Sequence, residues 1–110
     1  MKKRGRPLGS EIRQNIIEIV YFMKKAYGYE IYKEYNQIFP KISMRSIYYN
    51  LKKGTETDEF IINKIKTKKG DYSWGRESEV IQYKLGKNAM PKIPDNVKKH
   101  FNKKEEKELH

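Results

Sequence analysis

Ser43-Met44-Arg45-Ser46-Ile47-Tyr48-Tyr49-Asn50-Leu51-Lys52-Lys53, preceded after a short gap by Gly28-Tyr29-Glu30-Ile31-Tyr32-Lys33-Glu34, is the stretch on which the fold turns. Ile47 and Leu51 are four residues apart, a spacing that sets both on one face of a helix. Ser43 suits the N-cap, where a hydroxyl accepts from a first-turn N–H, and Gly54 is expected to close the helix in a left-handed C-cap conformation. A helix over 43–53 follows. Ahead of it, Ile31, Tyr35 and Ile38 make a second apolar stripe that ends before Pro40, because the residue preceding a proline avoids the α region. Two short helices joined by a turn of a few residues are the parts of a helix-turn-helix.

Outward toward the N-terminus, Ile12, Ile16, Ile19, Val20 and Met23 recur at helical spacing after Ser10, a good N-cap, and Glu11, which suits the positive helix end. A first helix from Ser10 to about Lys25 is expected. Toward the C-terminus the period changes. Phe60 to Thr67 and Glu79 to Leu85 partly alternate apolar with polar residues, as half-exposed strands do, and Lys68 to Arg76 between them reads as a long hairpin loop. Past Gly86, Pro91 and Pro94 delay regular structure until a short helix from Asp95, with Val97 and Phe101 on one face. The chain therefore reads as α+β and mainly helical: a winged helix-turn-helix of three helices and a two-stranded hairpin over 10–86, a basic arm over 1–9 and a charged tail over 87–110.

Composition narrows the function. Of 110 residues, 25 are Lys or Arg against 14 Asp or Glu, and a formal charge of +11 favours a polyanionic partner. No apolar run approaches the roughly 20 residues that span a bilayer, and no signal segment opens the sequence, so a cytoplasmic, nucleoid-associated protein is expected. The absence of cysteine removes disulfides, thiol nucleophiles and zinc fingers. His100 and His110 stand far apart in the tail, with no metal-ligand spacing and no phosphate-binding glycine loop before a helix, so neither catalysis, a metal nor a cofactor is expected.

Double-stranded DNA is then the partner the pattern fits. With Ile47 and Leu51 inward, Arg45, Ser46, Tyr49, Lys52 and Lys53 are the contact candidates of a helix sized for the major groove, about 12 Å wide. Arginine pairs with guanine edges, whereas lysine, tyrosine hydroxyl and the serines Ser43 and Ser46 hold phosphates. In the hairpin Lys64, Lys66, Lys68, Lys69 and Arg76 are candidate backbone contacts, and Trp74 is expected to pack against the hairpin base or a partner subunit. Tyr27, Tyr35 and Tyr48 fall on inner helix faces, which explains much of the aromatic content without invoking single-stranded nucleic acid. Two other readings stay open: an interaction module for an acidic protein, and an RNA-binding protein.

The two helix segments quoted above, with Val80-Ile81-Gln82-Tyr83-Lys84-Leu85 as a closing wing strand, resemble the PadR-like transcription regulators. The resemblance covers about two thirds of the chain. It implies a winged fold, a homodimer joined partly through a C-terminal helix, and Tyr48 as a packing residue near the recognition helix. The sequence departs from the family at Gly54, where the recognition helix usually continues with an apolar residue. Its tail is also too short for the helices that build an effector pocket, so no small-molecule effector is expected. In the arm, Lys2-Lys3-Arg4-Gly5-Arg6-Pro7 contains an Arg-Gly-Arg-Pro core that resembles an AT-hook. A narrow A·T minor groove attracts arginine, and Gly5 lets the backbone approach the groove floor.

Overall fold

Residues spaced for one helix face do fold as a helix, α1 (Gly9–Met23), which buries Ile16, Ile17, Ile19 and Val20. The computed structural model describes residues 9–68 and 78–108, with side chains over 11–65 and 81–104. After α1 come β1 (Lys25–Tyr27), α2 (Gly28–Ile38), α3 (Met44–Glu56), β2 (Phe60–Lys68), β3 (Ser78–Leu85) and α4 (Asp95–Glu108). The strands form one antiparallel sheet in the order β1-β3-β2, and this sequence of helices and strands is a winged helix-turn-helix. The core lies where α1, α2 and α3 meet the inner side of the sheet, filled by Ile31, Tyr35, Ile47, Leu51, Ala26, Phe60 and Tyr83.

The structure corrects the expected boundaries in three places. Helix α1 begins before Ser10, which lies in its first turn rather than at its cap, and it ends at Met23. There Lys24 takes a left-handed conformation (φ 72°), its N–H reaching back to Val20 O at 2.7 Å. Lys25 to Tyr27 then form a third strand, paired with β3 through Ala26 and Tyr83, so the sheet is not a simple hairpin. Three residues are too few for an alternating pattern to declare itself.

The third correction concerns Gly54. It lies inside α3, which continues to Glu56, and it does not form the C-cap. The left-handed position belongs to Asp58 (φ 65°), with Glu59 N–H bonded to Gly54 O at 2.8 Å and Asp58 N–H to Thr55 O at 3.4 Å. That pair of bonds is a Schellman closure, with an aspartate where glycine is commoner. Glycine is required at 54 for a different reason: a Cβ there would run into the Phe60 ring.

The tail is tied back onto the helices. Glu18, a buried carboxylate on α1, accepts from Lys92 N–H at 2.8 Å, Ile93 N–H at 2.9 Å and Gln14 Nε2 at 2.7 Å, fixing the segment that leads into α4. On α4, Val97 is fully buried and Phe101 stacks on Phe22 of α1 with ring centroids 5.3 Å apart. On α2, Glu34 accepts from two residues of α4, His100 Nε2 at 2.6 Å and Lys104 Nζ at 2.8 Å. Burial alone would raise the Glu34 pKa, but the bonds from Lys104 and His100 outweigh it and hold the carboxyl below its ordinary value.

Candidate nucleic-acid interface

The turn between α2 and α3 is clamped from one side chain. Asn36 accepts from Ile42 N–H at 3.0 Å and donates from Nδ2 to Ile42 O at 3.4 Å, so an amide on α2 substitutes for backbone pairing in the turn. Ser43 then caps α3, its Oγ accepting from Ser46 N–H at 3.1 Å. Inside the helix, buried Asn50 donates to Ser46 O at 2.9 Å and accepts from Arg13 Nη1 of α1 at 3.2 Å. Arg13 also pairs through Nε with Glu59 at 3.0 Å. This chain of bonds joins α1, α3 and the start of β2, and it holds the helix in one orientation about its axis.

Ile47, Asn50, Leu51 and Gly54 form the inner side of α3. Arg45, Tyr49, Lys52 and Lys53 are exposed on its outer side, with Ser43 exposed at the cap and Ser46 half-buried. Arg45, Tyr49 and Lys52 follow at intervals of four and three residues, one stripe along the helix. Tyr48 is not an inward residue as expected. It is 42% exposed, yet one edge of its ring crosses the start of α2, where its Oη would stand 2.7 Å from a Cβ on Gly28. Burial raises the pKa of both the Tyr48 and Tyr83 hydroxyls, Tyr83 further through its nearness to Tyr48. Both stay neutral at ordinary pH and can donate.

In the wing, Lys64 of β2 is exposed and stands opposite Gln82 of β3. The side chains of Lys66 and Lys68 lie outside the described residues, as do Lys69, Trp74 and Arg76 and the arm residues Lys2, Lys3, Arg4, Gly5 and Arg6. Those expectations therefore stand on the sequence. Among the described residues no group of His, Cys, Asp and Glu could hold a metal, and no helix is long and apolar enough to cross a membrane.

No family model matches the chain, and no curated protein does. Among solved structures it is similar to the crystal structure of a PadR family transcription regulator from hypervirulent Clostridium difficile R20291. The two share 22% sequence identity with a TM-score of 0.45, over 86% of this chain and 84% of that one.

Sequence reasoning missed several further exposed basic residues. Lys41 sits in the turn before α3, Lys33 lies on α2 with its ammonium 5.5 Å from the Tyr29 ring centre, and Lys25 and Lys84 occupy the sheet. Lys25 was hidden by its assignment to the first helix. The lysine in the turn was legible as a charge beside an N-cap.

Proposed function

We propose that the chain binds double-stranded DNA as a transcription regulator or chromosomal architectural protein, with α3 in the major groove. The observation that carries this reading is the exposed stripe Arg45, Tyr49 and Lys52 on a helix held by Ser43, Asn50 and Arg13. Arg45 reads a base edge, Tyr49, Lys52 and Lys53 take phosphates, and Ser43 and Ser46 add contacts at the helix start. The wing lysines Lys66, Lys68 and Lys69, with Arg76, lie on the adjacent backbone, and Arg4-Gly5-Arg6 enters a minor groove beside the first helix. No catalytic step and no effector enter this scheme, and the place of action is the nucleoid of the cytoplasm.

The homodimer, joined partly through the C-terminal helix, belongs to the same proposal. Val97 is buried and Phe101 stacked within the chain, which leaves exposed Tyr21, Met90 and Ile93 along α1 and the linker. Sedimentation of the full chain should give twice the monomer mass. Competition decides the partner: duplex DNA, single-stranded RNA and an acidic polypeptide are titrated at physiological salt against the parent and Arg45→Ala. Duplex preference that Arg45→Ala weakens supports the reading. Preference for the polypeptide favours the interaction module, and preference for RNA favours the RNA-binding reading.

A further inference from the structure

Beyond the core, the inner side of the sheet stays apolar and open to water. Residues paired across antiparallel strands share a face, so the register fixes what that side carries. After the pair of Phe60 with Leu85 come Ile62 with Tyr83 and then Ile65 with Ile81. Phe60 and Tyr83 are buried, whereas Ile62 is 44% and Ile65 53% exposed. No lysine or arginine falls in these pairs, and the next one outward, Thr67 with Glu79, brings a carboxylate. This side of the wing is not built to hold phosphates.

An irregularity places Ile65 there. The register shifts between Ile62 and Lys64, leaving Asn63 as an extra residue, and Asn63 Nδ2 donates to Gln82 Oε1 at 2.6 Å. With an unbroken register Lys64 would stand opposite Ile81, and Ile65 would turn to the other side. The fold thus keeps an exposed lysine off this side and sets an exposed isoleucine on it. Exposure to water alone favours the lysine.

Helix α3 borders this patch. Gly54 packs on Phe60, and further back along the helix Tyr48 lies near enough to Tyr83 for its hydroxyl to raise the Tyr83 pKa. Ile62 is paired with Tyr83, so Tyr48 and Ile62 both adjoin that residue. Tyr48 is three residues from Arg45 and four from Lys52, the spacings of neighbours on a helix surface. Through Tyr48, the apolar patch is continuous with the exposed stripe of α3.

We infer that Ile62, Ile65 and Tyr48 pack on deoxyribose rings of the duplex that α3 holds. Deoxyribose lacks the 2′-hydroxyl and offers a C–H surface beside each phosphate. Arg45 and Lys52, exposed on the bordering helix, attract the strand to which those sugars belong. A second copy seated here by two-fold symmetry brings its own Arg45 and Lys52 against this chain's, and like charges disfavour it. The inference rests on the duplex-DNA reading above and adds to it an apolar contact. Apolar burial releases no counterions, so this part of the affinity does not depend on them.

The test uses the full chain and fluorescence anisotropy on one duplex over a range of salt. Ile62→Thr with Ile65→Thr keeps β-branched residues in the strand while removing apolar surface. It should weaken duplex binding about tenfold at every salt concentration and leave the slope of log affinity against log salt unchanged. Ile61→Thr, at a residue 43% exposed on the other side of β2, should bind like the parent. Melting midpoints should stay near the parent's, because the replaced side chains are half exposed. If the double variant unfolds, Ile65→Thr alone, at the more exposed position, should weaken binding about threefold. Binding equal to the parent's overturns the inference, as does an equal loss in Ile61→Thr or a slope that falls together with the affinity. Loss of self-association with duplex binding retained assigns the patch to a second copy and overturns it too. In each of these cases the duplex-DNA reading stands. If the parent binds no duplex, both fall.

Discussion

The ring of Phe60 occupies the space where a side chain on Gly54 would stand, so the last turn of α3 and the first residue of β2 are packed backbone to ring. Helix propensity alone makes Gly54→Ala stabilising by about 1 kcal/mol. The packing makes it destabilising by about 1–3 kcal/mol, because the ring or the helix must shift. Urea unfolding of the two proteins decides the sign. In a Phe60→Ala background the same glycine substitution should become neutral or favourable, a coupling that a double-mutant cycle measures.

The cluster joining α2 to α4 gives an acid limb to stability. The folded-state pKa of Glu34 is depressed relative to the unfolded chain, so its contribution is present above the ordinary carboxylate range and is lost as pH falls through the folded value. Glu34→Gln should cost about 1–3 kcal/mol at neutral pH and flatten that limb. Thermal melts from neutral to strongly acidic pH check both. A variant that declines in parallel with the parent would assign the limb to other carboxylates.

Glu18 is the fastening of the linker. Glu18→Ala leaves the N–H groups of Lys92 and Ile93 without their acceptor and should destabilise the chain by about 1–3 kcal/mol, because the bonds to the carboxylate are lost while both exposed residues can turn their donors to water. Hydrogen exchange should speed up in residues 90–104 more than in α3. Uniform acceleration would show that the linker and the helix-turn-helix open together.

How much of this was legible depended on length and on distance. The first three helices and the two longer strands announced themselves through Ile16, Ile19, Ile47 and Leu51 and through the alternation of Ile81, Tyr83 and Leu85 with Val80, Gln82 and Lys84. The strand at Lys25 to Tyr27 did not, since its pairing with β3 comes from residues nearly sixty positions away. Gly54 was misread because glycine near a helix end has two causes, a left-handed cap and a close neighbour, and only the fold brings Phe60 to it. The outward stripe Arg45, Tyr49 and Lys52 followed from periodicity. The bracing by Arg13, Asn36 and Asn50 did not, because it is made by polar residues whose partners lie on other elements or in the turn.

Two classes of contact should separate by mutation. Arg45→Ala should change preference at one fixed base pair by about 1–3 kcal/mol, as a major-groove contact does. Arg4→Ala with Arg6→Ala should instead abolish preference for A·T-rich flanks, which arginine senses through groove width. Matched A·T-rich and G·C-rich duplexes measure both. Equal weakening on the two duplexes by the arm variant would leave that segment an electrostatic attachment only.

The salt dependence of duplex binding tests the central claim most directly. A chain of formal charge +11 that meets a duplex through α3, the wing and the arm should act by releasing counterions. With roughly six phosphate contacts per chain, a plot of log affinity against log salt, measured by fluorescence anisotropy on one duplex, should have a slope of about −5. A slope near zero, or tighter binding to single-stranded RNA than to the duplex across the same salt range, would contradict the account.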